Sequence, residues 1–147
     1  MDKVKKIMKE FSIFAICLAC FCGLFLYRMA VKADISTISE SKLVQKIEAD
    51  ESFVVYTSSS SSTTALTYQE VVEKYLTKNR SEKIYFLNLD ELDDANTFVS
   101  TYFKKDAADL TKEYTYVFIN GELYDTKDSA LTYYGLDVLM KEFNAAK

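Results

Sequence analysis

Two short apolar runs constrain this chain more than any other feature. Phe53-Val54-Val55-Tyr56 and Lys83-Ile84-Tyr85-Phe86-Leu87-Asn88-Leu89 carry β-branched and aromatic residues without the alternation of a half-exposed strand. Continuous runs of this kind belong to strands buried on both faces, in a parallel sheet with helices on either side. Between them, Ala65, Tyr68, Val72, Tyr75 and Leu76 recur at helical spacing, and Thr67 with Glu70 has capping-box spacing. The helix is expected to begin within or just after the polar run that precedes it and to stop near Lys78 and Asn79.

Further elements extend this strand, helix, strand kernel in both directions. Ile35 to Ser39 reads as an edge strand, and Ser39 or Ser41 offers an N-cap to a helix through Leu43, Val44 and Ile47. Phe98, Val99, Tyr102 and Phe103 supply the apolar face of another helix, and residues 104–112 read as a loop or short extra turn. Tyr114 to Ile119, Asn120-Gly121, then Glu122-Leu123-Tyr124 predicts a β-hairpin, with Asn-Gly supplying the two positive-φ positions of a type I′ turn. Leu136, Leu139, Met140 and Phe143 form the stripe of a closing helix. The order β-α-β-α-β-α-β-β-α predicts an α/β/α sandwich of three layers.

At the C-terminal end of the first buried strand lie eight consecutive hydroxyl residues, Thr57 to Thr64. Such a run is ordinarily a flexible linker, but a buried strand and a helix start flank this one. The chain contains no histidine, so a Ser-His or Cys-His nucleophile and a histidine-ligated metal are excluded. Its three cysteines, Cys17, Cys20 and Cys22, all precede residue 33, leaving the rest without thiol chemistry or a disulfide. Asp90-Glu91-Leu92-Asp93-Asp94 lacks the glycine and terminal glutamate of a calcium loop and reads as a solvated helix start. No metal or cofactor is expected.

Residues 11–27 are 17 uncharged residues, preceded by Lys3, Lys5, Lys6 and Lys9 and followed by Arg28. At helical rise this is about 25 Å, at the short end of a bilayer span, and flanking apolar residues lengthen it. The basic cluster predicts a cytoplasmic N-terminus. Residues 1–32 are thus expected to be a cytoplasmic tail and signal anchor, crossing the membrane through residues 11–31, and 33–147 an extracytoplasmic domain. The alternative is secretion after cleavage following Ala33, because Val31-Lys32-Ala33 resembles a signal-peptidase site. The net charge is +4 over residues 1–32 and −8 over 33–147. So acidic a domain disfavours nucleic acid and leaves peptides and proteins as partners.

In element order, residues 35–147 resemble the thioredoxin-like family. The resemblance rests on Phe53-Val54-Val55-Tyr56 before the loop, on Tyr85-Phe86-Leu87-Asn88-Leu89-Asp90, and on the hairpin Val117-Phe118-Ile119-Asn120-Gly121-Glu122. Ser129-Ala130-Leu131-Thr132, with Gly135-Leu136 and Lys141-Glu142-Phe143, is similar to the family's last strand and helix. Membrane-anchored thioredoxin-like proteins of Gram-positive bacteria, including bacteriocin transport accessory proteins, look similar. The resemblance implies a Cys-x-x-Cys at Ser62, Thr63, Thr64 and Ala65, and a cis-proline eight residues before Gly121, where Glu113 stands. Neither device is present, and a serine hydroxyl cannot replace a thiolate in disulfide exchange.

The sequence therefore points to a non-catalytic accessory or binding module. Ser58, Ser59, Ser60, Ser61, Lys112 and Tyr114 are its candidate rim for an extended peptide or protein partner. The other readings are a secreted enzyme with a Ser or Thr nucleophile activated by a lysine such as Lys112, a phosphate site at the helix start, and a degenerate scaffold in an extracytoplasmic thiol relay.

Overall fold

The structure is a computed structural model describing residues 2–31, 33, 35–59, 62–106 and 112–147, with side chains omitted for 2–12 and 28–31. It comprises two compact units, residues 1–32 and 33–147. The first is a single helix, α1 (Asp2–Val31), whose described side chains, residues 13–27, are all exposed. Among the described residues no helix is long and apolar enough to cross a membrane.

The second unit is built on a five-stranded sheet of order β1-β3-β2-β4-β5. The strands are β1 (Ser36–Thr37), β2 (Phe53–Ser58), β3 (Ile84–Asn88), β4 (Tyr114–Ile119) and β5 (Glu122–Lys127). β1 and β2 flank β3 in parallel, whereas β4 is antiparallel to both β2 and β5. β2 is central and buried at all six positions: the apolar run Phe53–Tyr56 predicts this for the first four, and Thr57 and Ser58 are buried with them.

Side-chain alternation divides the core between the two faces of the sheet. Phe53 and Val55 pack with Leu43 of α2 (Glu40–Glu48) and with Phe98 and Phe103 of the segment after β3. Val54 and Tyr56 pack with Tyr68 and Val72 of α3 (Thr63–Lys78) and with Leu136 and Met140 of α5 (Tyr133–Ala146). The three-layer α/β arrangement is thereby established. The segment after β3 comprises a 3-10 turn at Leu89–Glu91, a four-residue helix α4 (Ala95–Phe98) and a π-helical turn at Val99–Phe103. Its apolar residues are those that helical spacing identifies, but the i→i+5 turn departs from a regular helix. Of the loop read at 104–112, residues 107–111 lie outside the described residues.

The hairpin forms as its Asn-Gly dictates, with Asn120 at φ 51° and Gly121 at φ 74°. The glycine has a second reason to be there. A Cβ at Gly121 would lie 2.4 Å from the Ile47 carbonyl oxygen, and its amide donates to the Glu51 carbonyl at 3.1 Å. Between β4 and β5 the register shifts, since Val117 pairs with Asp125 and Phe118 with Leu123, leaving Tyr124 as a bulge. Ser129 to Thr132, likened in sequence to a last strand, forms none: the strand ends at Lys127 and Thr132 caps α5 through the Gly135 amide.

Candidate functional site

The hydroxyl run begins inside β2 and ends as the cap of α3. Ser58, the last strand residue, is 1% exposed, and its hydroxyl donates to the Ser59 carbonyl at 3.1 Å. Buried and turned to its own backbone, it is no rim residue. Ser59 reaches outward, its Oγ 3.0 and 2.9 Å from the two carboxylate oxygens of Asp90. Asp90 is held in the turn after β3, where its amide donates to Asn88 Oδ1 at 3.2 Å. Asn88 Nδ2 in turn donates to Glu91 Oε1 at 2.9 Å. Ser60 and Ser61, both expected on the rim, lie outside the described residues.

Ser62 is the N-cap of α3, so the helix starts four residues before the Thr67-Glu70 box. Its Oγ accepts from the Ala65 amide at 3.3 Å, and its own amide donates to the Ser59 carbonyl at 3.2 Å. The same hydroxyl donates to the Glu113 carboxylate, across 51 residues of chain. The resemblance assigns these two positions to the first cysteine and the cis-proline. Here they hold a hydroxyl and a carboxylate in contact, and there is no cis peptide bond among the described residues.

Charge explains why the pairing is favourable. The first turn of a helix presents unbonded amides and partial positive charge, which stabilise an adjacent anion. In a dithiol enzyme that anion would be a thiolate. In this chain the Glu113 carboxylate stands there, bound to the capping serine. An exogenous phosphate would have to displace it or bear its repulsion, so the phosphate reading loses its site. The Ser-Lys reading loses ground too, because the hydroxyl nearest the helix start donates to a carboxylate instead of a lysine.

The remaining candidates divide between surface and core. Thr63 and Thr64 are exposed on the first turn, whereas Ala65 is 7% exposed and packs inward. Lys112 is exposed and Glu113 half-buried. Tyr114, expected on the rim, is 3% exposed: its pairing with Thr57 carries it into the sheet, where its ring stacks on Tyr116 at 5.7 Å. A neighbour that sequence reading did not single out is Leu66, 60% exposed one residue beyond Ala65. Its signal was an apolar residue off the buried stripe of α3.

Beneath the loop is a floor of tyrosines. Tyr56 stacks on Phe86 at 4.7 Å and meets Tyr68 edge-on at 5.2 Å. Tyr68 Oη shares a hydrogen bond of 2.7 Å with Thr115 Oγ1. Burial pushes the Tyr68 phenol up to about 12, an effect the Thr115 bond opposes, and pushes Tyr56 higher still. The buried Tyr56 hydroxyl has no hydrogen-bond partner among the described residues.

No protein-family model and no curated protein matches the chain. Solved structures do. Oxidised thioredoxin from Plasmodium falciparum superposes with a TM-score of 0.57 at 15% identity, covering 78% of this chain and 100% of that one. Chloroplastic thioredoxin z gives 0.57 at 13% identity, covering 77% of this chain and 96% of its own. A variant thioredoxin from Halobacterium salinarum gives 0.57 at 13% identity, with 75% and 90% covered. Identities this low speak to architecture alone. Residues 33–147 adopt the thioredoxin fold.

Proposed function

We propose that this chain is a non-redox thioredoxin-fold accessory module that holds a peptide or protein partner at the loop end of its sheet. One observation carries the reading: Ser62, where a redox member would place its first cysteine, is hydrogen-bonded to Glu113, where such a member would place proline. A hydroxyl and a carboxylate cannot exchange electrons with a disulfide. The rim around them, Ser59, Ser62, Leu66, Lys112 and Glu113, offers polar groups and one exposed apolar side chain to an extended segment.

On this reading α1 is an anchor that keeps the N-terminus in the cytoplasm and presents residues 33–147 outside a Gram-positive cell membrane. The 17 uncharged residues at 11–27 and the lysines before them support it. Release after Ala33 would give a secreted form of the same domain. Peptide export of the kind served by bacteriocin transport accessory proteins is the setting that the sequence resemblance favours.

The test replaces Leu66 with a photo-crosslinking residue in the full chain expressed in a Gram-positive host. A discrete adduct is expected there, reproduced when the identified partner is purified and mixed with the chain. It should be absent when the same residue replaces Lys74, exposed further along α3. Absence of adducts at Leu66, Ser59 and Lys112 alike would overturn the binding role. Acceleration of insulin reduction by the chain, retained after Cys17, Cys20 and Cys22 are replaced by serine, would overturn the non-redox one. Alkaline carbonate extraction and protease accessibility of residues 33–147 in intact cells test the anchor separately.

A further inference from the structure

Three lysines converge on one groove in a domain that is otherwise strongly acidic. The groove, about 480 Å3, lies between α2 and the edge strand β1. Lys42 and Lys46 enter it from successive turns of α2, and Lys83 from the residue before β3. Tyr85 forms its floor, with the Lys46 ammonium 5.2 Å and the Lys83 ammonium 5.6 Å from the ring centroid. Lys46 is paired with Glu51 at 2.5 Å. Neither Lys42 nor Lys83 has a carboxylate partner among the described residues, although residues 33–147 carry 20 acidic side chains.

The other flank of α2 has the opposite sign. Glu40 and Glu48 face a separate groove shared with Glu91 and Asp93. The helix thus divides a basic trough from an acidic one, and an anionic chain is drawn to one side and repelled from the other. The basic side also has backbone to offer. β1 is the last strand of the sheet, and the Ile38 amide donates to the Phe86 carbonyl at 2.8 Å. In a parallel ladder the bonding direction alternates residue by residue, so the Thr37 amide and carbonyl face the open edge.

We propose that the groove between α2 and β1 docks an acidic, extended segment of a partner protein, with Lys42 and Lys83 taking its carboxylates. The segment lies along the β1 edge, its charged side chains turned toward α2 and its backbone within reach of Thr37. Lys83 and Glu51 stand before β3 and β2, at the end of these strands remote from the hydroxyl loop. The docking surface is therefore independent of the loop-end rim, and either can fail without the other.

The probe is a fluorescein-labelled octapeptide of alternating valine and glutamate, titrated into the full chain in detergent micelles at low salt and followed by anisotropy. Saturable binding is expected, weakening as salt rises, with no binding by the valine-lysine analogue. Lys42→Glu combined with Lys83→Glu should weaken binding about tenfold or more, as removal and reversal of two exposed charge contacts implies. Lys74→Glu combined with Lys141→Glu should change it less than about twofold, and circular dichroism confirms that both variants are folded. Equal binding by the two peptides, or by the Lys42/Lys83 variant and the unaltered chain, would overturn the proposal. So would absence of peptide binding. If inorganic pyrophosphate or phosphatidylglycerol vesicles then bind with the same lysine dependence, the groove serves a small anion or a lipid surface instead.

Discussion

The two ends of β2 are held by different kinds of bond. At its N-terminal end the hairpin is fixed by backbone: Gly121 donates to the Glu51 carbonyl and leaves no room beside Ile47 for even a methyl group. The Ser52 hydroxyl, accepting from the Asn120 amide at 3.0 Å, adds a side chain. At the other end the loop is held largely by side chains, through Ser59 to Asp90 and Ser62 to Glu113. Backbone contacts at close range tolerate almost no substitution. Hydroxyl-to-carboxylate contacts can be exchanged one at a time, and this end of the sheet is the one that can acquire or lose a function without loss of the fold.

The largest effect should come from Gly121→Ala. A positive φ and a Cβ 2.4 Å from a carbonyl oxygen combine there, so we expect a loss of roughly 3 kcal/mol in chemical denaturation. A loss under about 1 kcal/mol would mean that the hairpin end is no stiffer than the loop end. Next comes the tyrosine floor beneath the loop. Tyr68 has a folded value near 12 against an ordinary value of 10, so its stabilisation is complete below pH 10 and is lost as pH rises toward 12. Over that interval about 2–3 kcal/mol should disappear, with the phenolate of Tyr68 itself appearing only as the protein unfolds. Phenolate signal from every tyrosine at pH 10 in the folded protein would show that the floor is open to water.

Smaller effects should distinguish the contacts of the loop itself. Ser62→Ala removes both the cap of α3 and the donor to Glu113, and about 1–2 kcal/mol is expected. Combined with Glu113→Gln in a double-mutant cycle, it should show coupling between the two sites; strict additivity would mean that the pair does not act as a unit. Ser59→Ala loses an exposed contact and should cost about 0.5 kcal/mol or less. If it costs as much as Ser62→Ala, the loop is held from β3 as strongly as from β4.

What could be read from the sequence followed the range of the forces involved. β2, β3 and the hairpin were legible because burial on two faces and the conformational demands of Asn120-Gly121 leave local signatures. The start of α3 at Thr63 falls within the hydroxyl run, as expected, but its cap is Ser62, which reaches the Ala65 amide, and not the Thr67 of the Thr67-Glu70 box. Tyr114, expected on the rim, is buried because it pairs with Thr57, and no local pattern encodes that pairing. Resemblance marked Ser62 and Glu113 separately as departures from a redox pattern. Their contact emerges only when β4 lies antiparallel beside β2 and brings residue 113 to the start of α3.

The bulge at Tyr124 bears on how the protein behaves among copies of itself. β5 is a six-residue strand at the border of the sheet, long enough to recruit another strand by simple addition. One unpaired residue in its middle breaks the even spacing that a straight incoming strand would need, and increases the local twist. Asp125 and Lys127, paired with each other at 2.8 Å, place charge on the same border. A molecule that keeps one edge as short as two residues and kinks the other has little straight border left from which amyloid-like growth could begin.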